Sequence, residues 1–207
     1  MTMSKSVYVI GAGGHAKVVV STLQAAGYEV AAVFDDDEKK RDNVLLGVKV
    51  KGTIATLENA PPLPAVLGIG DNRTRHRFVK LLPDVEWLSV VHPSAVIHSS
   101  VQVGCGTVVF AGVVIQPDTI IGAHGIVNTG ATIDHDCRAG NFVHVAPGVH
   151  LAGEVELGDG TFVGIGGAII PGIKVGRWSV IGAGSTVIHD VDENQVVVGT
   201  PARPIKS

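Results

Sequence analysis

The chain has 207 residues, 45% hydrophobic and 17% charged, with 27 glycines and a formal charge of −3, which fits one large or two small globular domains. No basic excess points to nucleic acid, and aromatics, at 4%, are too scarce for a base-stacking surface. Met1 to Ser6 lacks the charged start and apolar core of a leader, and no apolar run approaches spanning length, so a cytoplasmic protein without membrane insertion is expected.

The first elements read as alternating strand and helix. Val7 to Ile10 is an apolar run, Gly11-Ala12-Gly13-Gly14-His15-Ala16 a glycine turn, and Val18, Val19, Leu23 and Ala26 carry a helical pattern up to Gly27. A second strand, Val30 to Phe34, ends in Asp35, Asp36 and Asp37. A third is expected at Val48 to Lys51 and a fourth at Ala65 to Ile69, closing in Gly70-Asp71-Asn72 and a basic helix from Arg73 to Leu82. This order predicts a small parallel sheet, with Asp84 to Val91 as its last strand.

Gly11-x-Gly13-x-x-Ala16 after a strand, with acids about twenty residues on, matches the dinucleotide fingerprint, in which glycines and a helix N-terminus meet phosphate. The domain ends near residue 90, too short for a second mononucleotide half. Three readings stand: a nucleotide or nucleotide-sugar site, a full NAD site, or a structural turn. Under the first, Asp35 or Asp36 accepts from base or ribose, while His15 and Gly70 to Asn72 close over phosphate or sugar.

From Ala95 to Asp190 a six-residue period takes over. The third position of each hexad is Ile97, Val103, Val109, Ile115, Ile121, Val127, Ile133, Ala139, Val145, Leu151, Leu157, Val163, Ile169, Val175, Ile181 and Val187. A helix cannot hold this period on one face, and it reads instead as a parallel β-helix with three short strands per coil. Gly106, Gly112, Gly130, Gly148, Gly160, Gly166, Gly172 and Gly184 close hexads and permit tight corners. The aliphatic stack alone does not offset the entropy of ordering so long a segment, so a homotrimer with prisms side by side is expected. The boundary falls after His92, giving domains of residues 1–92 and 93–207.

Hexad position filters the nine histidines. His135, at position five, is flanked by Asp134 and Asp136, and a neighbouring carboxylate can set its tautomer for general-base work. His189-Asp190 repeats that phase three coils on, and His144 and His150 occupy position two of successive hexads. Only Cys105 and Cys137 are present, giving neither a disulfide framework nor zinc spacing.

Gly11 to His15 with Asp35-Asp36, Ile133-Asp134-His135-Asp136-Cys137, Phe142-Val143-His144-Val145, Leu151-Ala152-Gly153 and the ending Val198 to Arg203 resemble the bacterial nucleotide-aminosugar N-acetyltransferases, PglD-like enzymes related to NeuD proteins. The resemblance implies a small Rossmann-like α/β domain followed by a left-handed parallel β-helix. It also implies transfer of acetyl from acetyl-CoA to a UDP- or GDP-linked 4-amino-4,6-dideoxy sugar, with trimers building active sites at subunit interfaces. The family's catalytic histidine falls on His135 and its acidic partner, usually glutamate, on Asp136. Coenzyme contacts fall on His144, Gly153, Ile165 and Ala183. Substrate contacts fall on Gly11, Gly13, Gly14, His15, Asp35, Asp36, Gly70, Asn72 and Asn128. No metal is implied: in γ-class carbonic anhydrases, which the prism also resembles, His98 and His135 would be ligands, but the third falls on Gly140.

Such a transfer needs a base for the amine and a donor for the oxyanion, here either a backbone N–H at a coil corner or His144. Cys137 is not needed as a nucleophile, since the thioester is already activated. Alternatives are O-acetylation of a sugar or sialic acid on the same scaffold, and a non-catalytic NeuD-like assembly partner.

Overall fold

The computed structural model describes residues 5–205. Its first module is a five-stranded sheet built from β1 (Lys5–Ile10), β2 (Tyr28–Phe34), β3 (Val44–Leu45), β4 (Val48–Gly52) and β5 (Ala65–Leu67), in the order β3-β4-β2-β1-β5. Only β3 runs antiparallel to its neighbour. Helix α1 (Gly14–Ala25) buries Val19, Val20 and Leu23 against Val7 and Val9, while α2 (Asn72–Leu81) lends Phe78 to the opposite face beside Ile10 and Phe34. Asp71 caps α2, its Oδ1 accepting from Thr74 N at 2.8 Å.

The prism follows the hexad rule. From Val108 to Val187 each two-residue strand pairs in parallel with the one eighteen residues before it, as Val114↔Thr132 and Ile115↔Ile133 show, and the strands stack into three sheets. Position three points inward throughout, so Ile115, Ile133, Leu151 and Ile169 form one column of the core. The prism also begins earlier than expected. Val90 and Val91 pair with Val108 and Val109, so the end of the segment read as the module's last strand is a strand of the prism, and only Trp87 bridges Ala65. The cause is legible afterwards: Val91 sits six residues before Ile97 and already occupies position three.

Position six of every hexad from 106 to 184 has a positive φ, between 55 and 74°. Eight of these are the glycines named above; the other six are Asp118, His124, Asp136, Phe142, Glu154 and Trp178. These corners stack into three edges of different character. One is acidic (Asp118, Asp136, Glu154), one aromatic (His124, Phe142, Trp178), and one is glycine alone (Gly112, Gly130, Gly148, Gly166, Gly184).

The module docks along the aromatic edge and the adjoining face. Val108, Phe110 and Ile126 of that face share a core with α1 and β1. Among the described residues no helix is long and apolar enough to cross a membrane.

Candidate active site

The acidic edge carries His135. Its Nδ1 lies 2.8 Å from Asp136 Oδ2, and its backbone N–H donates to Asp134 Oδ1 at 2.9 Å. The two flanking acids therefore divide the work: one holds the ring, the other the main chain. Asp136 sits in a left-handed corner, φ 58°, from which its short side chain reaches back to the ring that precedes it. With Nδ1–H facing a carboxylate, Nε2 presents its lone pair to solvent on a side chain that is 53% exposed. The hydrogen bond that the ring donates to Asp136, aided by the charges of Asp134, Asp136 and Glu154 and opposed by desolvation, raises the His135 pKa above its ordinary value.

One coil on, Gly153 forms the seat of this ring. A Cβ there would stand 2.6 Å from His135 Cε1 and 2.7 Å from Nε2, so any side chain at 153 displaces the imidazole. The Gly153 N–H meets no acceptor among the described residues. Along the acidic edge, Pro117 and Pro171 have no N–H and that of His135 is taken, so the Gly153 amide, in a residue buried beneath the ring, is the neighbouring N–H without a protein acceptor. His189-Asp190, of the same phase, is built differently: Asp190 Oδ1 accepts from Lys174 N at 2.8 Å.

The expected coenzyme and nucleotide residues scatter more widely. Gly153 shares the edge of His135, but Ile165 and Ala183 lie on the glycine edge, which a single prism does not bring to His135. Ile165 is 58% exposed there, and Cβ atoms added at Gly148, Gly166 or Gly184 would meet nothing within 4 Å. His144 is only 8% exposed, beneath the module. Its Nδ1 lies 3.2 Å from Gly70 O, so that nitrogen carries the hydrogen, and Nε2 accepts from Asn128 Nδ2 at 3.1 Å. Burial, then the nearby Arg75 charge, lowers its pKa to about 3. With its pKa lowered, His144 is a neutral ring whose two nitrogens are both engaged inside the protein.

In the module, Gly11 has φ +101°, and a Cβ there would stand 2.7 Å from Ile69 Cγ1, so the turn needs glycine. Gly13 and Gly14 face open space, and α1 begins without a side-chain cap or an acid in its first turn. Asp35 Oδ2 accepts from Ala12 N at 2.6 Å and Lys40 Nζ at 3.0 Å, while Oδ1 accepts from Asp37 N at 2.9 Å. Asp35 thus pins the glycine turn to the end of β2 with both oxygens engaged. Asp36 is exposed and spends Oδ1 on Ile54 N at 2.8 Å. Asn72 is a strut, not a surface residue: 7% exposed, it donates to Gly160 O and Thr161 O of the prism at 2.9 and 3.1 Å. His15 packs edge-on against Phe110 with ring centroids 5.4 Å apart, and burial, then the Arg75 charge, lowers its pKa to about 4.

The residue that sequence reasoning missed is Arg75. It is 1% exposed and donates to Gly70 O at 2.8 Å, His124 O at 3.1 Å and Phe142 O at 2.8 Å, tying the Gly70 turn to two coils. The signal was its place between Asn72 and Phe78 on the one helical face that turns inward. Two cavities lie away from His135: one of about 590 Å³ in the module around Tyr8 and Leu57, and one of about 510 Å³ beside Arg138 and Lys174.

Residues 6–82 match the PglD N-terminal domain family. Perosamine N-acetyltransferase from Caulobacter crescentus, solved as a histidine variant with CoA and GDP-perosamine, is 39% identical and superposes with a TM-score of 0.92, covering 98% of this chain and 97% of that one. The acetyltransferase domain of PglB from Neisseria gonorrhoeae FA1090 is 33% identical, with a TM-score of 0.92 over 98% of this chain and 100% of that one. UDP-N-acetylbacillosamine N-acetyltransferase of Bacillus subtilis (strain 168) is 36% identical over 116 residues, 52% of each protein. An uncharacterized protein, L142, of Acanthamoeba polyphaga mimivirus is 33% identical over 108 residues, 22% of its length. The chain therefore spans about half or less of the curated relatives that it matches. With near-complete coverage of both structural relatives, a PglD-type first module and a left-handed β-helix behind it, the chain belongs to the family of bacterial nucleotide-aminosugar N-acetyltransferases.

Proposed function

We propose that the protein moves the acetyl group of acetyl-CoA onto the amine of a nucleotide-linked 4-amino-4,6-dideoxy sugar. The observation that carries this reading is the His135 ring, held by Asp136 at 2.8 Å and seated on Gly153, whose amide lacks an acceptor. Base and oxyanion donor stand side by side.

His135 Nε2 accepts a proton from the sugar amine as its nitrogen attacks the thioester carbonyl and the N–C bond forms. The carbonyl oxygen, now anionic, receives the Gly153 N–H. Collapse restores the carbonyl and breaks the C–S bond, and the departing thiolate takes the proton back from the imidazolium. Asp136 stabilises the imidazolium throughout, and Cys137, 1% exposed, stays outside the chemistry.

Residues 1–92 hold the nucleotide sugar and 93–207 the acyl donor in this reading. The uncapped α1 N-terminus suits a diphosphate, and exposed Asp36 suits donors of a base or ribose. Relatives named for UDP- and GDP-linked substrates leave uracil and guanine as the two bases to test.

The acyl donor lies along a glycine edge, whose bare backbone leaves room for a pantetheine arm beside Ile165 and Ala183. Because that edge and the His135 edge are different corners of one prism, a homotrimer that sets the glycine edge of one subunit against the acidic edge of the next completes the site. Two free thiols fit action in the cytoplasm.

The test is acetyl-CoA with UDP- and GDP-linked 4-amino sugars and their 4-hydroxy counterparts. Thiol release with a mass gain of one acetyl group on an amino sugar is expected, and acetylation of the hydroxy compounds alone would reassign the reaction. Light scattering is expected to give a trimer; an active monomer would overturn the shared site.

A further inference from the structure

Position one of the hexad faces the interior and is apolar at Val113, Ala131, Val143, Val149 and Val155. At five places it is polar and repeats one contact. Ser89 Oγ donates to Gly104 O, Thr107 Oγ1 to Gly122 O and Thr119 Oγ1 to Asp134 O, each at 2.8 Å, with Cys137 Sγ to Ala152 O at 3.1 Å; Thr161 Oγ1 lies 3.2 Å from Gly176 O but shares its hydrogen with Gly158 O at 2.8 Å. In each, the side chain faces the corner carbonyl fifteen residues on, most closely at the first four.

Two of the five fall on the acidic edge, one beneath each residue of the proposed chemistry. In a trans peptide the C=O and N–H point in opposite directions. A carbonyl drawn inward by Thr119 or Cys137 therefore turns the following N–H, of His135 or Gly153, away from the core. What happens next depends on position four. Asp134 covers the His135 amide with its own Oδ1 at 2.9 Å, and Asn128 does the same for Thr129 at 2.8 Å. Ala152 has no such atom, so the Gly153 amide, buried beneath the His135 ring, has no protein acceptor.

We propose that Cys137 is a positioning residue: its thiol holds the Ala152 carbonyl and so aims the Gly153 N–H at the oxyanion, while alanine at 152 keeps that amide free. This rests on the acyl-transfer reading above. The thiol is suited to the task because burial, the largest influence on it, raises its pKa and keeps it a protonated donor.

The experiment compares Cys137→Val, Cys137→Ser and Ala152→Asn in the full chain, using the best amino-sugar substrate of the wild type. Valine already occupies the equivalent position at Val143, Val149 and Val155, so the first variant keeps the fold. Cys137→Val is expected to lower kcat about tenfold with KM for both substrates and the melting temperature held, whereas Cys137→Ser, which restores a donor, stays within about threefold of wild type. Ala152→Asn, copying the Asn128 cap, is expected to lower kcat by about the same factor as valine. Wild-type kcat in Cys137→Val or in Ala152→Asn, or equal losses in valine and serine, overturns the positioning role while leaving the transferase reading standing. No transfer by the wild type to any amino sugar overturns both.

Discussion

Two edges of the prism share one backbone conformation and serve opposite ends. On the aromatic edge, left-handed corners carry His124, Phe142 and Trp178; on the acidic edge they carry Asp118, Asp136 and Glu154. The aromatic rings are spent on contact. His124 stacks on Phe142 at 5.1 Å, His76 of α2 meets Phe142 at 5.0 Å and Trp178 at 5.6 Å, and Arg73 lies 4.8 Å over Trp178. The acidic corners are left open, and their charge gathers around one imidazole. A coil corner is thus a neutral device: the strained φ projects a side chain from the edge, and the side chain decides whether the edge docks a module or, in the proposed reaction, handles a proton.

The largest expected effect isolates the acidic edge. His135→Ala removes the base and is expected to lower kcat about 100-fold or more without changing assembly, read by thiol release and light scattering. Activity within a few-fold of wild type would take the chemistry away from this edge. The matching cut on the other edge is Phe142→Ala, which strips the ring between His124 and His76 and is expected to cost about 2 kcal/mol of stability in chemical denaturation. An unchanged midpoint there would mean that Arg75, Asn72 and the shared apolar core around Phe110 join the module to the prism without help from the ring stack.

Gly153→Ala sharpens the contrast. Because φ at 153 is not positive and the clash is with an exposed ring, the methyl group displaces His135 at little cost to folding. A kcat loss of about tenfold with a melting temperature within a degree or two of wild type is expected. A loss of stability to match would make Gly153 a packing residue.

How far these edges can be read in the chain follows from what each residue must satisfy. The prism was legible because one inward aliphatic per six residues is a requirement that every coil repeats. The eight glycine corners were legible for the same reason, but Phe142 and Trp178 were not, since a bulky residue in a left-handed corner is tolerated only where a partner such as α2 lies over it. His135-Asp136 was legible because the two are adjacent. Arg75, the buried roles of Asn72 and His144, and the inward turn of Asp35 were hidden because their partners are carbonyls and amides, and a backbone acceptor leaves no mark in a sequence. The separation of Ile165 and Ala183 from His135 was present in the count of residues per coil, since 135 and 153 differ by one coil of eighteen and 165 and 183 belong to another series.

Acid separates the two edges on one axis. His15 and His124, with pKa values lowered to about 4, and His144, lowered to about 3, are neutral in the joint chiefly through burial. An unfolded chain would protonate them from about 6.5, so their contribution is fully present above that pH and drains away as the pH falls through about 4. His135 moves the other way: its raised pKa means that the free base is lost on descending through a value above 6.5. Melting temperature is therefore expected to fall below pH 6.5, and kcat to fall already above it. Coincident limbs would mean that acid inactivates by opening the joint, not by protonating the base.

The gentlest cut tests why the activity limb sits where it does. Asp136→Asn keeps a residue type at home in the left-handed corner, φ 58°, and keeps an oxygen within reach of His135 Nδ1, so neither backbone nor ring geometry gives a reason to change. What goes is the charge. Without it the imidazolium loses its nearest counter-ion, the His135 pKa drops toward its ordinary value, and the limb of the pH–rate profile moves to lower pH. At neutral pH kcat should fall only a few-fold, because a weaker base is present there in larger fraction and the two changes partly cancel. A limb that stays in place in Asp136→Asn but moves in Asp134→Asn would hand the orienting role to the acid that now holds the main chain.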